Sequence, residues 1–205
     1  MSKPMLSRAG AASGAVFAVV LVIASGNGDH NFSGARAVAG LGAITLAIPF
    51  FAYLSRLLRA AEGDDGWLAS TTLVSGVTGI TLKLVSTFPE LAMHRTHVAD
   101  GTTLHKALQQ IADGATLISL YPLAVMCASA AIVALRTGIL PRWLGAGAGV
   151  TACALAVNGA FLEASFVPAL LLFIAWAFAT SVHLVVKESR RPASATAGEM
   201  GHAVG

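Results

Sequence analysis

Charge is what this sequence has least of. Only 11% of its 205 residues are Asp, Glu, Lys or Arg, against about 25% in soluble domains. A disordered chain needs polar residues to stay solvated, so that class is excluded. The 13 Lys and Arg residues cluster at the ends of apolar runs, so they report membrane orientation and no nucleic-acid partner is expected. Cysteine is scarce too. Cys127 and Cys153 have no Cys-x-x-Cys spacing and cannot staple a disulfide scaffold. Both sit in apolar runs and read as small buried hydrophobes.

Apolar residues fill the space that charge leaves. They make up 56% of the chain, and mean hydropathy is +0.74. Six apolar runs follow one another, at about 10–25, 37–58, 67–88, 108–135, 143–162 and 166–186. A helix needs about 20 residues to cross the hydrocarbon core, and most of the runs reach that length. The fold class is therefore all-α, a six-helix transmembrane bundle occupying residues 1–191, with membrane lipids as its surroundings. Residues 192–205 are small and polar and read as a disordered tail. The first run follows Lys3 and Arg8 and ends in Ala24-Ser25-Gly26, the outline of a signal peptide. Its small residues Gly10, Gly14 and Ala18 match those of the other runs and favour a retained packing helix.

The basic residues set the orientation. With the N-terminus inside, nine face the cytoplasm: Lys3, Arg8, Arg56, Arg59, Arg136, Arg142, Lys187, Arg190 and Arg191. Four remain for the outside, namely Arg36, Lys83, Arg95 and Lys106. The positive-inside rule then places both termini in the cytoplasm and the bundle in the cell membrane. Pro49 and Pro122 fall inside runs and should kink their helices. Pro89 should open a short outer helix, with Asp100 capping the fourth span. Each inner loop leads into a Trp-Leu pair, Trp67-Leu68 and Trp143-Leu144. This likeness of two halves is explained by ordinary interfacial tryptophans.

Two stretches carry a resemblance. They are Leu57-Leu58-Arg59-Ala60-Ala61-Glu62-Gly63-Asp64-Asp65-Gly66-Trp67-Leu68 and Ala134-Leu135-Arg136-Thr137-Gly138-Ile139-Leu140-Pro141-Arg142-Trp143-Leu144-Gly145. With the basic end after the last run, they resemble a family of uncharacterised, mostly actinobacterial, six-helix integral membrane proteins. The resemblance implies a bacterial cytoplasmic-membrane protein. It carries no activity, ligand or catalytic residue with it. The second stretch also has a local reading, with Gly138 closing one helix in the left-handed conformation and Pro141 suiting the start of the next.

Lys83 is the most informative position, because a charge within an apolar span is costly. It shares a stripe with Thr72, Gly76, Gly79 and Ser86 at spacings of three and four, so it should face the bundle interior. Asp113, near the outer end of the fourth run, is a candidate partner at similar depth. Asn158 and Glu163, near the end of the fifth, would complete an outer polar pocket for a small ligand. The alternatives are a lysine that snorkels to the headgroups or a purely structural ion pair. The loop holding His94, His97 and His105, with Glu90, Asp100 and Asp113, has the ligand types for zinc, copper or nickel. It lacks the spacing of a known metal motif. His183, in the last run, is a candidate haem ligand or proton relay, but no second histidine falls inside a run to pair with it. The run Gly145 to Val150 is not a nucleotide loop, because no strand precedes it. Gly145, Gly149, Ala152 and Ala156 form a stripe for close helix packing, and Thr71, Ser75 and Thr78 should bond across helices.

The leading expectation is a non-enzymatic membrane protein with a small-ligand pocket, or an accessory subunit that engages a membrane-protein partner. The alternative is a metal- or haem-binding protein or enzyme using the outer histidines or His183, so the cofactor stays open.

Overall fold

A computed structural model describes residues 3–25, 34–63, 65–96, 98–99, 101–160 and 167–189. All six expected helices are present, and no strand occurs among the described residues. They are α1 (Lys3–Ser25), α2 (Gly34–Glu62), α3 (Trp67–Arg95), α4 (Thr103–Thr137), α5 (Arg142–Ala160) and α6 (Val167–Ser189). Five of them, α2 to α6, contain segments long and apolar enough to cross a membrane. The segment of α1 with described side chains, Ala9–Ile23, is apolar but shorter. The expected tail at 192–205 lies outside the described residues.

Each helix packs on its neighbours in sequence, and α1 also packs on α6, so the six close into a ring. Across the ring α2 touches α4. The start of α1 and the end of α6 lie at one end of the bundle. Gly10 abuts Tyr53, whose hydroxyl bonds Glu188 at 2.9 Å. Arg56, Arg59, Arg136, Arg142 and Lys187 belong to this same basic end by helix direction.

Small residues set how close the helices come. A Cβ added at Gly14 would sit 2.6 Å from the Phe50 ring. At Gly76 it would meet Phe51 at 2.8 Å and the Met126 sulfur at 2.9 Å. At Gly79 it would meet Leu123 at 2.7 Å. Hydroxyls add bonds between the close-packed backbones. Thr72 bonds Ser129 at 3.1 Å, joining α3 to α4. Ser55 donates to the Ala69 carbonyl at 2.7 Å, joining α2 to α3. The Ser181 hydroxyl donates to the Ala11 carbonyl and accepts from the Ala15 amide at 2.8 Å. Residues 11 and 15 are the two ends of one helical hydrogen bond, so α6 inserts a hydroxyl into the ladder of α1.

Two tight turns close the basic end. Gly138 ends α4 with φ +66 and donates its amide to the Ala134 carbonyl at 3.0 Å, as its sequence context indicates. At the α2–α3 turn, the Glu62 carboxylate accepts from the amides of Leu68 and Ala69, at 3.1 and 2.9 Å. An acid at a helix start satisfies open amides and complements the helix dipole.

Four local expectations are corrected. Pro89 opens no separate helix, because α3 runs through it to Arg95. One missing amide bond is tolerable where a neighbouring helix, here α4, packs alongside. The cap of α4 is Thr102, which accepts from the His105 amide at 3.2 Å, and not Asp100. Ala156 faces out, while Leu155 and Gly159 are buried on the packing face. Cys127 is buried, but Cys153 is exposed on α5.

Replacing Gly76 by Val should lower the unfolding midpoint in mild detergent, at an overpacking cost of about 1–3 kcal/mol. The matching change at Gly42, where an added Cβ meets nothing within 4 Å, should leave the midpoint unchanged within about 0.5 kcal/mol.

Candidate functional site

The α3 stripe faces inward as its spacing requires. Thr72, Gly76, Gly79 and Ser86 are all buried, and Lys83 is half-buried beside them. Its ammonium donates to the Thr116 hydroxyl of α4 at 2.9 Å. Ser86 returns its own hydroxyl to the Lys83 carbonyl at 2.7 Å. The lysine thus lies in the seam of α3 and α4, with the Thr116 hydroxyl among its partners.

Its height can be counted along the helices. Gly76 and Met126 are in contact and serve as the zero level. At 1.5 Å per residue, Trp67 and Trp143 lie about 14 Å toward the basic end. They are level with each other and exposed, at 63% and 62%. In the other direction Lys83 stands about 10 Å up, Thr116 about 15 Å and Asp113 about 20 Å. Asp113 is exposed, and among the described residues no ion pair joins it to Lys83. Asn158 is half-buried near the end of α5 at about 8 Å. Next to it, Tyr121 donates to the Gly159 carbonyl at 2.8 Å. The helix α4 stands between α3 and α5. Lys83 and Asn158 are therefore on different sides of α4, and among the described residues the structure does not gather Lys83, Asp113 and Asn158 into one pocket. Glu163 lies outside the described residues.

The histidines are spread. His105 is half-buried in the first turn of α4. His97 and Asp100, and the side chains of Glu90 and His94, lie outside what is described. Among the described residues no three His, Cys, Asp or Glu side chains come close enough to hold a metal ion. His183 is half-buried one turn before Lys187. Lys187 itself donates to the Ile139 carbonyl at 3.1 Å, pinning α6 to the α4–α5 turn.

A groove of about 380 Å³ opens between α1 and α6, lined by residues that include Ala18, Val22, Leu171, Ile174 and Phe178. It offers surface for hydrocarbon and contains none of the candidate polar residues.

Sequence reasoning missed Thr116 as the partner of Lys83. The available signal was a polar residue on the apolar stripe Ala112, Thr116, Leu120, Leu123, all buried. Thr71 also differs from expectation, since its hydroxyl bonds back to Trp67 of its own helix while Thr72 makes the bond to α4. The chain matches no protein-family model, and no similar curated protein or solved structure was found.

Thr116→Val keeps the shape and removes one acceptor from Lys83. It should cost about 0.6–2 kcal/mol, the usual range for a polar contact between membrane helices. In a double-mutant cycle by denaturant unfolding, adding it to Lys83→Met should cost less than it does alone. Additive losses would mean that the two side chains are not coupled.

Proposed function

We propose that this chain is a multi-pass protein of the bacterial cytoplasmic membrane, with both termini in the cytoplasm. It binds a small anionic ligand at the outer rim of the α3–α4 seam. The resemblance of its two basic turns to the actinobacterial six-helix family belongs to the same proposal.

The membrane placement rests on three agreements. Five helices have spanning length and hydropathy. The basic residues collect at one end, as the positive-inside rule requires of a cytoplasmic face. Trp67 and Trp143 are level and exposed there, where tryptophans mark the headgroup belt.

Lys83 carries the ligand reading. A hydrocarbon core of about 30 Å measured from the tryptophans ends about 16 Å above the Gly76–Met126 level. The Lys83 backbone is then about 6 Å inside the outer boundary, and its ammonium reaches Thr116 at that boundary. A fixed cation at headgroup depth attracts a phosphate or carboxylate from the outer leaflet or the outer aqueous phase. Thr116 positions the ammonium, and the reading is one of binding.

The test uses purified protein in mild detergent, with inorganic phosphate, glycerol phosphate and mixed micelles of phosphatidylglycerol as probes. A binding probe should raise the unfolding midpoint by mass action, by several degrees at saturation. Lys83→Gln should abolish the rise and Lys106→Gln should preserve it. A response to phosphatidylglycerol alone would identify a lipid headgroup as the source. A response to the free anions would identify a soluble ligand. No response to any probe, or an equal response in Lys83→Gln, sinks the reading.

A further inference from the structure

The helix α4 is the longest of the six, at 35 residues, or about 52 Å against a hydrocarbon core of about 30 Å. Its free face bears one large aliphatic residue every seven positions: Leu104, Ile111, Ile118, Val125 and Ile132. All five are exposed, the first three at 57%, 59% and 58%. Of the four positions between them on the same face, three are small, Ala107, Gly114 and Ala128, and the fourth is Tyr121, whose hydroxyl bonds the Gly159 carbonyl of α5. A Cβ added at Gly114 would meet nothing within 4 Å, so the face is open there.

Within the bilayer, lipid covers such a face without further explanation. The upper part differs. Counted from the Gly76–Met126 level, Ile111 lies about 22 Å up and Leu104 about 33 Å up. Both stand beyond the hydrocarbon boundary, Ile111 at the outer edge of the headgroup layer and Leu104 in water. Polar neighbours surround them, namely Lys106, Gln109, Gln110 and Asp113, all exposed. An aliphatic stripe that continues into water at the membrane spacing is a seam, not lipid contact.

We infer that this face of α4 docks a second copy of the chain, in a parallel two-fold dimer. Two copies inserted in one membrane share an orientation, so their α4 helices run parallel and each residue of the repeat meets its own equivalent. A heptad seam matches itself in that arrangement without a shift. Ala107, Gly114 and Ala128, at three of the four positions between, allow close approach there. The area is sufficient. With Tyr121 and Leu135, also exposed beside the stripe, seven large side chains can each contribute roughly 100 Å². That gives about 1,400 Å² over two copies, within the range of specific interfaces. The corresponding stripe on α3, with Trp67, Val74, Val85 and Phe88 exposed, stops at headgroup height and has no such continuation. This inference rests on the membrane placement proposed above and not on the ligand reading.

The test is site-directed crosslinking in native membranes, in a Cys153→Ala background. Ile111→Cys treated with a short bifunctional thiol reagent should give a product of twice 20.8 kDa. Gln109→Cys, on the opposite side of α4, should give at least tenfold less. Native mass spectrometry of the unmodified chain should show a dimer, and Ile111→Gln, exposed and harmless to the fold, should shift it to monomer. A monomer throughout, equal crosslinking at both positions, or a product of any other mass overturns the inference.

Discussion

Gly14, Gly76 and Gly79 have no room for a side chain, and the ring depends on that. Inside a bilayer, apolar side chains gain nothing by leaving lipid for protein, so helices associate through close packing and interhelical hydrogen bonds. Close packing needs backbone against side chain with no Cβ between. Phe50 lies over Gly14, Phe51 and Met126 over Gly76, and Leu123 over Gly79. These large side chains are themselves almost fully buried. The glycines therefore define the slots and the phenylalanines fill them, and α2 becomes the element against which both α1 and α3 are fitted.

Once helices approach that closely, short hydroxyls can reach across. Ser181 enters the backbone ladder of α1, Ser55 reaches α3 and Thr72 reaches Ser129. None of these contacts would exist at a helix separation set by leucines. Closing the ring draws in the first helix, with Gly10 and Gly14 against α2 and the Ala11 carbonyl and Ala15 amide against Ser181.

Much of this was legible from spacing. The Lys83 stripe at intervals of three and four needed only helical periodicity to be oriented correctly. The Gly138 turn needed only the left-handed preference of glycine after a helix. Thr116 was hidden because its pairing with Lys83 depends on the vertical register of two helices, and periodicity within one helix says nothing about register. The same gap made Asp113 a candidate partner, although it stands about one turn higher than Thr116 on α4. The true lengths of α3 and α4 were hidden for a different reason. Hydropathy falls where Gln, His and Asp begin, so an apolar run marks where the membrane would end and not where the helix ends. Pro89 strengthened that error, because proline stops a helix in water far more reliably than beside a packed neighbour.

Helix length then decides where interactions can be sought. The basic end is closed by short turns and by the contacts of Glu62, Lys187 and Glu188, which leave little open chemistry there. On the other side α3 and α4, at 29 and 35 residues, run on past the roughly 20 residues that spanning needs, carrying Lys83 and the Ile111 stripe. In the proposed placement such a pair would bring surface out of lipid, where its exposed apolar atoms would incur the cost of hydration. Such a cost is retained where something covers the surface. The polar seam and the aliphatic face of this hairpin point in different directions around α4, one toward α3 and the other away from the bundle. Occupying one would not block the other, and a ligand at Lys83 would sit on the helix that a second copy would hold from behind.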